Sequence, residues 1–101
     1  LLLLLLFIYK DEEIIGKVTH NGKGIAGAEI EYIEDNKKKS VTTDKDGEYV
    51  IGVDMDSYVA ITKVTKDGHT VLEATVDDIP AELIIQVHIV KGVTTVNFMM
   101  T

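Results

Sequence analysis

Thr42-Thr43-Asp44-Lys45-Asp46-Gly47-Glu48-Tyr49-Val50-Ile51-Gly52-Val53 is the stretch that decides the fold. Residues 41–43 open an extended arm, and Asp44, Asp46 and Gly47 carry the chemistry of a hairpin turn. Gly47 supplies the positive φ that a bulged loop of roughly three to five residues needs. The return arm then places Tyr49, Ile51 and Val53 on one face and Glu48, Val50 and Gly52 on the other. A period of two is the signature of a strand with one buried face.

The same period extends outward in both directions. Upstream, 28–33 puts Ala28, Ile30 and Tyr32 inward against Glu29 and Glu31, and 13–19 sets Ile14, Gly16 and Val18 against Ile15, Lys17 and Thr19. Asn21-Gly22 and Lys23-Gly24 read as a turn, Gly27 as a bulge or close backbone approach, and 34–40 as a polar loop. Downstream, an acidic connection at 54–56 leads to a strand at 58–65, a turn at Lys66-Asp67-Gly68-His69 and a strand at 70–76. Asp77-Asp78-Ile79-Pro80 breaks the pattern, which places Pro80, the sole proline, in a loop. Residues 82–90 alternate again, Lys91-Gly92 turns the chain, and Val96, Phe98 and Met100 share a face of the last strand. No window carries the i, i+3, i+4, i+7 spacing of a helix. Seven or eight short strands separated by glycine turns predict a sandwich or a barrel.

Particular residues also carry a resemblance. Ile15-Gly16-Lys17-Val18-Thr19, Gly24-Ile25-Ala26-Gly27-Ala28-Glu29-Ile30 and 42–49 are similar to the opening of carboxypeptidase regulatory-like domains. The strand from Tyr58 followed by Lys66-Asp67-Gly68-His69 resembles the later part of that pattern, with His69 where an aromatic is usual. The resemblance implies a transthyretin-like (prealbumin-like) sandwich serving as an appended stability, adhesion or interaction module, and it is nearly silent on activity. The expected fold is therefore all-β: a Greek-key-type, transthyretin-like β-sandwich of about seven strands at 11–101, preceded by an extension strand within 1–10. The transthyretin-like hydrolases end in Tyr-Arg-Gly-Ser, whereas this chain ends Phe98-Met99-Met100-Thr101, so their activity is not carried over.

Composition narrows the chemistry. The chain has 101 residues, 46% of them hydrophobic and 27% charged, which suits one globular domain. Its net charge of −7 opposes a nucleic-acid partner, and Lys37-Lys38-Lys39 lies beside Glu34 and Asp35 as a mixed-charge turn. With no cysteine there is neither a disulfide framework nor a thiolate site. Asp44-x-Asp46-Gly47 imitates the start of a calcium loop, but the position that needs a bidentate Glu is Met55, so these residues read as a turn. A weak calcium site built from Asp44, Asp54 and Asp56 is the minor alternative. His20, His69 and His88 have no zinc-ligand spacing, and Ser40 and Ser57 have no neighbouring His–Asp arrangement. Lys17 and Asn97 stand where related adhesin sandwiches form an isopeptide, yet 58–65 lacks the acid those domains place there. No sequon for N-glycosylation occurs, and no cofactor or metal is expected.

One stretch remains outside this frame. Leu1, Leu2, Leu3, Leu4, Leu5, Leu6, Phe7, Ile8 and Tyr9 form an unbroken apolar run, closed by Lys10 and the acids Asp11, Glu12 and Glu13. As a helix it would reach roughly 14 Å, half of a bilayer's hydrocarbon core, so no membrane span is expected in the chain as given. As a strand it would reach about 30 Å, the height of a sandwich. It does not alternate, and a strand apolar on both faces suits burial on both faces. The expectation is a non-catalytic subunit of an extracellular filament, donating this strand into the groove of another copy. The alternative is a monomeric cell-surface accessory or adhesion domain, with a glycan or surface contact, whose head is a signal or anchor remnant.

Overall fold

Alternating apolar residues build ten strands among the residues that the computed structural model describes: 12–54, 57–82, 85–88 (backbone only) and 92–101. The donor-strand expectation falls on residues 1–9, outside the described residues. In chain order the strands are β1 (Glu12–His20), β2 (Lys23–Gly24), β3 (Glu29–Glu34), β4 (Lys37–Thr42) and β5 (Glu48–Val53). They continue as β6 (Tyr58–Thr65), β7 (Val71–Val76), β8 (Ile79–Ala81), β9 (Ile85–His88) and β10 (Val93–Met100). Two sheets result, and the all-β sandwich expected from the alternation is the observed architecture. One sheet runs β2-β1-β10-β7-β8, with β5 also paired to β1; the other runs β4-β3-β6-β9.

The core lies between the sheets. Ile14, Val18, Ile51, Val53, Val96 and Phe98 enter from the six-stranded sheet, and Ile30, Val59 and Ile61 from the four-stranded one, with Ala28 just before β3. All are buried, in the phase the alternation predicts. The last strand returns beside the first, and β1 and β10 run parallel, from Glu13 opposite Val93 to Thr19 opposite Met99. On its other edge β1 pairs antiparallel with β5 through Glu12 to Lys17 and with β2 at Thr19 and His20. β1 is therefore an interior strand held from both sides.

Three local expectations are corrected. Residues 34–40 are not a loop: Asp35 and Asn36 (φ 49° and 70°) form a two-residue turn of type I′ character, and β3 pairs with β4 from Glu34↔Lys37 to Glu29↔Thr42. Asp77 and Asp78 (φ 47° and 67°) do the same between β7 and β8, so Pro80 lies in a short strand rather than a loop. It is tolerated there because β8 is a sheet edge. Short polar side chains reach the left-handed region more readily than other non-glycine residues, which is how Asp-Asn and Asp-Asp replace the expected glycine.

The third correction concerns the opening stretch. The Asp44 turn exists, but the strands on either side do not pair with each other. Thr43 N–H donates to Ala28 O at 2.9 Å and draws β4 to β3, while Val18 N–H donates to Gly47 O at 2.8 Å and draws β5 to β1. The residues form a corner that passes the chain from one sheet to the other.

Close backbone approach explains two glycines. A Cβ on Gly16 would sit 1.7 Å from Val96 O, and one on Gly24 would sit 1.9 Å from Asp46 O. Gly16→Ala is expected to cost about 3 kcal/mol or more in a urea unfolding experiment, because backbone rather than a flexible side chain must move. Gly22, whose added Cβ would meet nothing within 4 Å, serves as the control: its alanine variant carries only the left-handed backbone cost, about 1 kcal/mol.

Candidate functional site

The β5 edge and the sheet face beside it combine the features a docking site needs. Among the described residues β5 pairs only with β1, so its outer edge offers unpaired backbone groups. Val50, on the outward face of β5, is 54% exposed. A shallow groove of about 700 Å³ adjoins it, lined by Ile15, Lys17, Glu48, Val50, Thr95 and Asn97 among others. An open face that mixes aliphatic, short polar and charged side chains along an unpaired edge can accept an extended peptide, with backbone bonds for affinity and the aliphatic positions for register.

Beneath this face the β1–β10 ladder has a gap. Register pairs pass from Ile15↔Thr95 directly to Val18↔Phe98. Two side chains fill the gap: Asn97 Oδ1 accepts from Lys17 N–H at 2.9 Å, and Tyr49 O–H donates to Val96 O at 2.5 Å. The Tyr49 phenol crosses from β5 to β10 in the space that Gly16 leaves by having no side chain. Burial pushes the phenol's pKa well above its ordinary value, so it remains a donor at any physiological pH.

The predicted turn residues are accounted for in detail. Asp44 Oδ1 accepts from Asp46 N–H at 2.9 Å and Glu48 N–H at 3.0 Å, and Gly47 takes φ 80°. These backbone bonds hold the Asp44 carboxyl below its ordinary range. Behind the turn, buried Thr43 accepts from Ala28 N–H at 2.9 Å and donates to Ile25 O at 2.6 Å, fixing the segment that leads into β3. Asp44 is thus committed to the turn, and among the described residues no group of three or more His, Cys, Asp or Glu side chains could hold a metal.

Lys17 and Asn97 meet, but as backbone donor and side-chain acceptor. The register also puts Glu48 opposite Lys17, so an acid, a lysine and an asparagine lie on adjacent strands. Lys17 is exposed, and its amine lacks the apolar surroundings that activate an amine as a nucleophile.

At the opposite end of β5 lies a carboxylate the sequence reading placed in a loop. Glu34 is 3% exposed and accepts from Lys39 Nζ at 2.8 Å and from Asp54 N–H at 3.0 Å. Neighbouring Asp35 accepts from Ser57 Oγ at 3.0 Å, tying the β3–β4 turn to the start of β6. Glu12 is buried as well, and its Oε2 has no partner among the described residues. The signal for both was their phase: Glu34 continues Ala28, Ile30 and Tyr32, and Glu12 precedes Ile14 by two. Two of the histidines, far apart in sequence, also come together. The rings of His20 and His69 meet edge to face at 5.4 Å, His20 Nδ1 lies 3.1 Å from Met100 O, and His69 Nδ1 bonds Thr101 O.

Compared with protein-family models, with curated proteins and with solved structures, the chain matches none. Among the described residues no helix is long and apolar enough to cross a membrane.

Two measurements test these assignments. Intact-mass analysis should return the mass of the unmodified sequence, with no loss of one ammonia between Lys17 and Asn97. Burial alone raises the Glu34 carboxyl, but the bonds from Lys39 and Asp54 N–H outweigh it and hold the group below its ordinary value of 4.5. Stability from this group is therefore fully present above 4.5 and lost as pH falls through the lower folded-state value. The stability gap between the native chain and Glu34→Gln should be widest near neutrality and close below pH 4.5 in urea titrations.

Proposed function

We propose that this chain is a non-catalytic structural subunit that polymerises head-to-tail into an extracellular, pilus-like fibre. Residues 1–9 of one copy are the donor strand, and the β5 edge of the next copy is the acceptor. The observation that carries this reading is the unbroken apolar run 1–9, which is covalently joined to β1 through only Lys10 and Asp11. A run of that length exposed to water would aggregate unless covered, and a neighbouring sheet edge covers it while satisfying its backbone groups. The sandwich supports the acceptor role because, among the described residues, no strand pairs with β5 on its outer side, and Val50 is exposed on it. Donation by one end to a different surface of the next copy is heterologous, so the assembly need not close. The net charge of −7 would keep finished fibres from clumping sideways.

The likeness to carboxypeptidase regulatory-like, transthyretin-like modules belongs to the same proposal. It is supported by the glycines of that pattern, since Gly16 and Gly24 occupy positions closed to any side chain and Gly27 and Gly47 take φ 75° and 80°.

Sedimentation and electron microscopy decide the matter. The full chain should assemble into filaments, whereas a chain lacking residues 1–9 should sediment as a monomer. Val50→Lys, which places a charge on the acceptor edge, should also block growth. A full chain that is monomeric would overturn the fibre reading in favour of a monomeric accessory or adhesion domain. Filaments that survive the deletion would overturn the donor assignment.

A further inference from the structure

We propose that the β5–β1–β10 seam is a tension clamp, built so that a load applied between the two chain ends is resisted by shear. The geometry follows from one feature of the topology. β1 and β10 are neighbours and run parallel, so the chain preceding Glu12 leaves one end of the seam while Thr101 follows Met100 at the other. Pulling the ends apart drives β1 and β10 past each other along their own axes. Every bond between them then shares the load, whereas strands pulled apart from one end release their bonds in turn.

Three observations strengthen the clamp beyond a simple strand pair. β1 is held on its other edge by β5 from Glu12 to Lys17, so sliding it breaks two ladders together. The gap at Gly16 and Lys17, where sliding would otherwise meet least resistance, is closed by the bonds from Lys17 N–H to Asn97 Oδ1 and from Tyr49 O–H to Val96 O. The Tyr49 bond is buried and joins β5 directly to β10, bypassing β1. A strained chain therefore cannot move β10 relative to β5 without breaking a hydrogen bond that water is poorly placed to replace.

The clamp takes its biological meaning from the fibre reading, in which neighbouring copies pull on residues 1–9. It is nevertheless a property of one chain, and its test is made on single molecules, so failure of either idea leaves the other standing. Cysteine is absent from the sequence, which makes an introduced thiol a unique handle. The full chain would be stretched by force spectroscopy in two geometries. In the first, handles are attached at the two chain ends, giving shear. In the second, the handles are Lys23→Cys, beside the end of β1, and the C-terminal end of the chain, so that β1 and β10 are peeled apart from one end.

Forced unfolding reads the unfolding rate rather than the equilibrium stability, so the unfolding force in shear should be at least about twofold above that in peeling. Tyr49→Phe and Asn97→Ala should each raise the unfolding rate under shear about tenfold, as loss of one net hydrogen bond implies, and leave the peeling force unchanged. A variant weakened merely by poorer folding would lose force in both geometries, and that result would overturn the assignment of these two bonds. Equal forces in the two geometries for the native chain would overturn the clamp itself.

Discussion

The Tyr49–Val96 hydrogen bond is the constraint around which the six-stranded sheet is arranged. A strand pair normally satisfies its own backbone, so a ladder that skips two residues of β1 leaves polar groups that something must pair. Here the repair needs three separate residues. Gly16 must have no side chain, Tyr49 must be long enough to pass beneath β1, and Asn97 must turn its amide oxygen toward Lys17 N–H. Exchanging any one of them undoes part of the repair. An alanine at 16 would collide with the Val96 carbonyl, and a phenylalanine at 49 would leave that oxygen without this donor. The pairing of first and last strands, on which the closure of the sandwich depends, is thus set as much by side chains as by the ladder.

The sheets are aligned at each end by a different device. At one end the Thr43 hydroxyl, the exposed Asp44 carboxylate and close glycine packing move the chain between layers. At the other, Glu34 joins a lysine of β4 and the backbone just after β5 through a nearly buried carboxylate. A carboxylate is a costly choice unless paired, because losing its partners strands a charge in a poorly solvated place. In return it accepts several donors at once, which a small domain with a thin core can use to fix a corner.

Much of this was legible in the sequence because burial on one face leaves a period of two. Alternation placed Ala28, Ile30 and Tyr32 inward and grouped Ile14 with Val18, Tyr49 with Ile51 and Val53, and Val96 with Phe98 and Met100 on shared faces, and all of them are buried. The turn at Asp44, Asp46 and Gly47 was legible from glycine chemistry. Strand partners were not, because alternation says which face is buried but not against which sheet. Hence 41–53 read as a hairpin when it is a corner. β4 was hidden because its residues are mostly exposed and three of them are lysines, so it lacks an apolar face. The His20–His69 contact joins the end of β1 to the turn after β6, far apart in sequence, where ligand spacing carries no information.

The edges of the sandwich differ in a way that a stability argument alone does not explain. β4 presents Lys37, Lys38 and Lys39, all exposed, and charged edges resist pairing with another chain. β8 is three residues long and contains Pro80, which removes a backbone donor from that edge. Two edges are therefore guarded by familiar devices against unwanted strand addition. Among the described residues the β5 and β9 edges carry neither device: neither strand holds a lysine or a proline, and on β5 Val50 faces solvent. Of these two, β5 belongs to the same β5–β1–β10 seam that the Tyr49 bond ties together. In the proposed fibre, a strand added to β5 would meet a strand already fastened through to β10 by the buried Tyr49 bond, so a load passed to β5 would reach β10 without relying on β1 alone.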